Sequence, residues 1–433
     1  MFPLRMVLLG LGIFATILSV LIFSCKLPIG ERCKDATGAK GDVTIWGTLP
    51  EAEMSVITQK FNIEAKTYAV RYTYVSEESF NQTLVEALAS GVGPDMILAP
   101  YQIILSQVDR IYPYQMDEKT FRDIYIDGAS VLSTAQGALA LPVSVEPMML
   151  FYNRTLFSKH GITSPPEYWD ELTTLAPVLT IKNGGRFTES AVALGTPSVP
   201  YGKDIIMTIV SQLGQVPVVR YADRSGNVSF AVLVNQPVTE ESTIAPLATV
   251  NRFFTQFGDP GQNAYSFDQG QTGCVVDIFV AEKLAMYIGY SGEYSTLKAR
   301  NPRADFQMTI LPQTRGYNTF STGMRMNAIA TLRTTKNPIT AAAVQSQFGG
   351  GNTSLALAST VGGVPALRSY ATNPSVDPII GRSMLVARGW YDSYQKETDA
   401  YAASMISDII NSRSGINEAS QTFAARLRDL YSK

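Results

Sequence analysis

The strongest constraint on the fold lies between residues 43 and 100, where the hydrophobic period alternates between two and about 3.6. "DVTIWG" reads as a short strand ending in glycine, and "EAEMSVITQKFNIEA" then places Met54, Ile57 and Phe61 at helical spacing. "YAVRYTYV" is a second strand. "SEESFNQTLVEALASG" opens with Ser76 and acidic residues, a helix start, and "PDMILAP" is a third strand. A chain that alternates in this way can bury its strands only beneath helices. The expected class is therefore α/β, with mainly parallel sheets flanked by helices.

The alternation continues downstream. "SPPEYWDELTTLAPVLT" predicts a helix with proline near its first turn, and "KDIIMTIVSQLG" a helix closed by glycine. "KLAMYIGYSGEYSTL" reads as a buried strand running into a polar turn, and "FQMTILP" as a strand. From about residue 389 the chain is mostly helical. One stretch resists this reading. In "LPVSVEPMMLFYN" the charged Glu146 and Pro147, which has no N–H for a β-ladder, interrupt what is otherwise a buried strand.

Composition excludes several functions. The 433 residues carry a net charge of −2, so there is no basic footprint for nucleic acid. The single histidine, His160, rules out a His-rich metal site and reads as a helix C-terminus before Gly161. "GGGN" at 349–352 lacks the Lys-Ser/Thr of a phosphate loop, and no G-x-S-x-G elbow is present. No cofactor or metal is expected.

The N-terminus carries Arg5 and an uncharged apolar run over residues 6–24, long enough for a signal peptide or nearly a membrane span. It ends in "IFSC", which resembles a lipobox with Cys25 as the lipidated residue; an uncleaved anchor is the alternative. Either outcome tethers the chain to the outer face of a bacterial cell membrane. Residues 26–41 read as a flexible stalk. Whether Cys33 and Cys274 pair is left open by their spacing.

Taken in order, "VTIWG", "LASGVGPDMILAP", "LPVSVEPMMLFYNRTLFSKHGITSPPEYWDEL", "AEKLAMYIGYSGEY" and "MTILP" make the chain from about residue 41 to 433 resemble a family-1 extracellular solute-binding protein of an ABC transporter. The resemblance implies a two-lobed binding-protein fold, with lobe one at 41–145 plus 323–360 and lobe two at 150–318 plus 361–433. It places hinges near 145–149 and 319–323. It also implies a monomeric receptor that takes a small ligand, an oligosaccharide first of all, into the cleft and delivers it to ABC permease subunits.

A sugar cleft needs flat apolar faces and planar polar groups, at the carboxyl ends of the strands. Those positions nominate Trp46, Thr48, Glu51 and Glu53 after the first strand, and Tyr101 and Gln102 after the third. The resemblance adds Glu146 at the first crossing between lobes, Tyr201 as a stacking ring, and Trp390 near the cleft. It further points to Tyr290, Ser291 and Tyr294 around Gly292, a slot where many members carry an aromatic residue. Maltodextrin-binding members have an aspartate–arginine pair where this chain has Gln102 and Ile103, so the ligand does not transfer with the fold. Against a binding role stand a sensing ectodomain or adhesin and a glycoside hydrolase, which needs two carboxylates flanking the scissile bond. The expectation is a receptor without catalytic residues.

Overall fold

The computed structural model describes residues 39–65, 67–222, 228–237, 245–268 and 274–432. Strands β1 (Val43–Gly47), β2 (Val70–Tyr74) and β3 (Met96–Pro100) form where the alternation places them, with β1 parallel to both others. The helix Glu51–Glu64 buries Met54 and Phe61, as its spacing requires. The next helix spans Phe80–Ala89 and starts later than expected, because Ser76 and Ser79 bond each other at 2.8 Å in a turn ahead of it. A two-residue strand β4 (Ile111–Tyr112) and a short hairpin, β5 (Ser133–Thr134) and β6 (Gly137–Ala138), lead into the long strand β7 (Leu141–Asn153).

Beyond β7 come β8 (Ile181–Asn183), β9 (Arg186–Val192) and a separate hairpin of β10 (Val218–Ala222) with β11 (Val228–Val232). Strands β12 (Leu284–Tyr290), β13 (Phe306–Ile310), β14 (Met324–Leu332) and β15 (Val364–Pro365) complete the set. The large sheet runs β2-β1-β3-β14-β7-β12-β9-β8. It is mixed rather than mainly parallel, because β7 and β14 meet their neighbours antiparallel.

Strand β7 organises the molecule. Its first half pairs with β14, down to Pro147 opposite Met324, and with β15 at Ser144 and Val145. Its second half pairs with β12 from Met148 onward and with β13 from Met149 onward. Both neighbours are thus exchanged between Pro147 and Met148, and the α/β architecture divides there into two lobes. Three chain segments lie side by side at that point. The Met148 N–H donates to the Gly323 carbonyl at 2.8 Å, and the Thr322 N–H donates to Val386 at 3.1 Å. The Arg388 N–H donates back to Thr322 at 2.8 Å. Residues 364 and 365, which the expected division assigns to lobe two, pair instead with the first half of β7.

Two other local expectations change. The prolines of "SPPEYW" precede the helix, which runs Trp169–Leu179. Its start is fixed by the Glu171 carboxylate, which accepts from the N–H groups of Glu167 and Tyr168 at 2.8 and 3.3 Å. The polar turn expected after β12 is a helix, Glu293–Arg300. It forms because Glu293 accepts from the Tyr290 N–H at 2.9 Å and the Tyr287 hydroxyl at 2.6 Å. His160 does end a helix, Arg154–Lys159, and its ring also meets the Glu189 carboxylate at 2.9 Å. "GGGN" opens the helix Gly351–Ser359.

Helices Gln395–Ile410 and Ile416–Tyr431 pack on Gly202–Gln212 and Pro246–Thr255 in the second lobe. No helix among the described residues is long and apolar enough to cross a membrane, and no group of three metal-ligating side chains occurs among them. The apolar run at 6–24, Cys25 and Cys33 lie outside the described residues; Cys274 is exposed and free.

A fully buried glutamine ties the second lobe together. Gln212 accepts from the Trp169 indole N–H at 2.7 Å and donates to the carbonyls of Pro312 and Ser321 at 3.0 and 2.8 Å. Replacing it with leucine takes this partner from the Trp169 indole and the Pro312 carbonyl, each at about 1–3 kcal/mol, while the Ser321 carbonyl keeps the Gln313 amide at 3.2 Å. We expect Gln212→Leu to lower stability by roughly 2–5 kcal/mol in denaturant titrations.

Candidate functional site

A cavity of about 600 Å³ lies at the strand ends where the lobes meet, within the range of about 300–1,000 Å³ for small-ligand sites. Each wall follows from a local feature of the chain. From the first lobe come Thr48 and Leu49 after β1, and Pro100 and Gln102 at the end of β3. Glu146 on β7 and Arg325 and Asn327 on β14 form the floor at the crossing. The second lobe contributes Tyr201, Lys203 and Asp204 at the start of a helix, and Tyr290 at the end of β12.

Tyr201 caps the helix Gly202–Gln212 in the left-handed conformation, φ 59°, which a bulky side chain rarely adopts. That turn lays the ring against the cavity, with the Tyr290 ring 4.9 Å away at 68°. The Tyr290 hydroxyl donates to Asp204 at 2.8 Å. Arg325 crosses from the first lobe to both rings, its guanidinium carbon 4.6 Å from the Tyr201 centroid and 4.3 Å from that of Tyr290. Such cation–π contacts stabilise by about 0.5–2 kcal/mol, more when desolvated. Burial opposes the Arg325 charge, but the two tyrosines, Glu146 and Glu293 hold it, and its pKa rises above the ordinary value.

Lys203 is nearly buried and donates to Asp392 at 2.7 Å and to Thr398 at 3.1 Å, with Asp399 a further 2.7 Å partner. Desolvation works against its charge, yet the surrounding aspartates raise its pKa. Lys203 is therefore committed to the protein and its carboxylates, not to a ligand.

Glu146 is 6% exposed and stands directly opposite Arg325 in the β7–β14 ladder. Burial pushes its pKa up to about 7, and Glu293 adds to the rise; Arg325 and the Gly292 N–H pull the other way. Burial likewise raises Glu77 at the cavity mouth, where Asp399 adds to the rise and Arg325 opposes it.

Of the residues nominated from sequence, the cavity gathers Thr48, Gln102, Glu146, Tyr201 and Tyr290. The others lie elsewhere. Glu51 and Glu53 are exposed in the first turn of their helix, where the dipole favours acids. Trp46 is half-buried and packs on the core. Tyr101 and Trp390 face a neighbouring gap of about 20 Å³, room for a water molecule and not for a sugar. Tyr294 stacks on Phe151 and donates to the Phe306 carbonyl at 3.0 Å. Ser291 is buried, and its N–H serves the Pro147 carbonyl at 3.0 Å. Sequence reasoning did not single out Arg325, Lys203, Asp204, Glu77, Asn327 or Gln395, all of which line the cavity.

The absence of an aromatic residue at Gly292 has a steric cause. A Cβ there would lie 2.3 Å from the Val361 carbonyl oxygen and 2.4 Å from a Glu146 carboxylate oxygen. The space a side chain would need at Gly292 is taken by backbone and by Glu146 itself.

A mixed α/β chain of two lobes, crossed by paired strands and enclosing a polar, tyrosine-walled cavity at their junction, defines a solute-binding protein. The chain belongs to the bacterial extracellular solute-binding proteins, whose family profile matches residues 46–344. No curated protein matches it. Among solved structures it is similar to the GacH receptor of Streptomyces glaucescens, determined unliganded and with acarbose and an acarbose homolog. That match has a TM-score of 0.67 at 17% identity and covers 91% of this chain and 99% of the other. The cyclic alpha-maltosyl-1,6-maltose binding protein of Arthrobacter globiformis matches with a TM-score of 0.70 at 16% identity, over 89% and 97% of the two chains. The maltotriose binding protein of Thermus thermophilus matches with a TM-score of 0.64 at 16% identity, over 90% and 99%. At these identities the likeness establishes the fold.

Two outcomes test the site electrostatics. A carboxyl whose pKa is raised on folding holds its proton more tightly in the folded state, so its contribution is present below the unfolded value. It is lost as pH rises through the folded value. The ligand-free protein should therefore lose thermal stability as pH rises from 5 through about 7, and Glu146→Gln should flatten that slope. Gly292→Ala should be destabilising by about 1–3 kcal/mol in thermal or denaturant unfolding, because both close neighbours must move.

Proposed function

We propose that the chain is an exported receptor, held at the outer face of the membrane by its N-terminus, that binds a neutral oligosaccharide in this cavity and delivers it to an ABC permease. The observation that carries the reading is the pairing of tyrosine faces with carboxylate and amide groups around one cavity between the lobes. The half-buried Tyr201 offers an aromatic surface, with the buried Tyr290 ring supporting it from behind, while Glu77, Glu146, Gln102 and Asn327 offer acceptors and donors matched to hydroxyls. The cavity's cations, Lys203 and Arg325, are occupied by aspartates and by aromatic rings, which favours an uncharged ligand. The saccharides in the structures of similar fold support the same class. A receptor role, without hydrolysis of the ligand, also agrees with the family.

In this reading the lobes rotate about the three adjacent segments at 146–148, 321–323 and 386–388, hinge closure needing only a few residues that change conformation. The third crossing in this reading falls near 387, since Val364 and Pro365 pair with the first half of β7. Glu146 meets the ligand where β7 changes lobes, and Arg325 carries the first lobe's contact to the second lobe's rings.

A thermal-shift screen of the full chain against sugars, polyols and peptides should give its largest stabilisation with an oligosaccharide, since a ligand of the folded state alone raises its stability. Glu146→Ala should weaken that ligand by about 10- to 100-fold in calorimetric titration, the range for a hydrogen bond to a charged group. Unchanged affinity would remove Glu146 from the site.

A further inference from the structure

The cavity does not end at its own walls. Its lining residues Glu77, Gln102, Gln395 and Asp399 also line a second chamber of about 600 Å³ beside it. That chamber shares Ser393 and Tyr394 with a third, of about 610 Å³. One continuous wall, the segment from Tyr391 to Asp399, therefore borders all three adjoining chambers. Any one of them lies within the range of a small-ligand site, about 300–1,000 Å³; the three together exceed it. A short ligand in the first cavity would leave the other two to solvent.

The far chamber is built from different parts of the fold. The first lobe contributes Leu105, Val108 and Asp109 after β3, and the second contributes Arg220 and Phe230 from the β10–β11 hairpin. Its floor is aromatic. Phe230 lies 4.9 Å from the Tyr391 ring and 5.3 Å from that of Tyr431, and Tyr394 meets Tyr431 edge-on at 5.2 Å. Phe230 and Tyr394 are half-buried, so part of each remains open to the chamber.

Charge narrows the ligand class. The middle chamber has Lys396 against the carboxylates Glu77, Glu78, Glu397 and Asp399, which repels an anionic chain. In the far chamber Arg220 and Asp109 offset each other, beside serine hydroxyls and aromatic rings. We infer that the far chamber between Asp109 and the β10–β11 hairpin is a distal subsite, and that the receptor takes a linear, uncharged oligosaccharide long enough to reach it. The Tyr394 and Phe230 faces pack against a distal sugar ring, and the exposed Asp109 carboxylate and Ser229 hydroxyl meet its hydroxyls. This inference rests on the saccharide reading of the first cavity and adds the length and far contacts of its ligand.

The test uses the detergent-solubilised full chain and calorimetric titration with matched pairs: maltose and maltotetraose, cellobiose and cellotetraose, mannobiose and mannotetraose. For the pair that binds, the four-unit member should bind tighter than the two-unit member. Tyr394→Ala should weaken the four-unit sugar by about three- to tenfold, the range for one aromatic face, and leave the two-unit sugar unchanged. Tyr394→Phe should restore it. Ser229→Trp, at an exposed hairpin position lining the chamber, narrows the subsite without touching the core and should act in the same way. Retained binding of the short sugar reports that each variant is folded. Equal affinity for both lengths, or variants that weaken both lengths alike, would overturn the distal subsite while leaving the saccharide reading intact. Binding of no sugar in the panel would overturn both.

Discussion

The rest of the structure depends on one buried strand that belongs to both lobes. Residues 141–151 of β7 are all buried, yet its ladder partners change completely between Pro147 and Met148. Proline suits that boundary because it cannot donate to a ladder. The neighbouring segments at 322 and 387 are hydrogen-bonded across it, so three stretches of backbone lie together in a seam where the lobes meet. The same seam brings Glu146 and Arg325 opposite each other, so the cavity and the junction of the lobes are one feature.

Electrostatics at the seam is arranged around that pair. Arg325 is held over two tyrosines contributed by the other lobe, and burial raises the pKa of the Glu146 carboxyl to about 7. An unpaired charge in such a position would be costly. A carboxyl poised near pH 7 can accept from a hydroxyl when ionised or donate to one when protonated. Gly292 is part of the same arrangement, since its missing side chain makes room for the Glu146 carboxylate.

Much of this was legible in the sequence, and the limits have physical causes. Local periodicity places β1, β2, β3 and the helices between them, because each is decided within a few residues. The sheet's mixed direction was not legible, since antiparallel entry of β7 and β14 depends on pairing across more than 170 residues. Glu146 stood out because a charge followed by proline contradicts an apolar strand. Arg325 did not, because "GMRMNAIA" reads as an ordinary strand edge until register sets it against Glu146. Trp46 and Tyr101 were nominated by proximity to strand ends and Tyr294 by the resemblance around Gly292, but an aromatic ring at such positions is as readily core as wall. The structure packs all three inward.

The account's central claim is that the lobes close on a ligand held between them. Small-angle scattering measures that directly, on the protein alone and saturated with the saccharide that stabilises it most. Closure about the seam at Pro147 predicts a smaller radius of gyration in the saturated sample. An unchanged radius at full saturation would contradict it, and would place the bound sugar on a surface that the two lobes do not share.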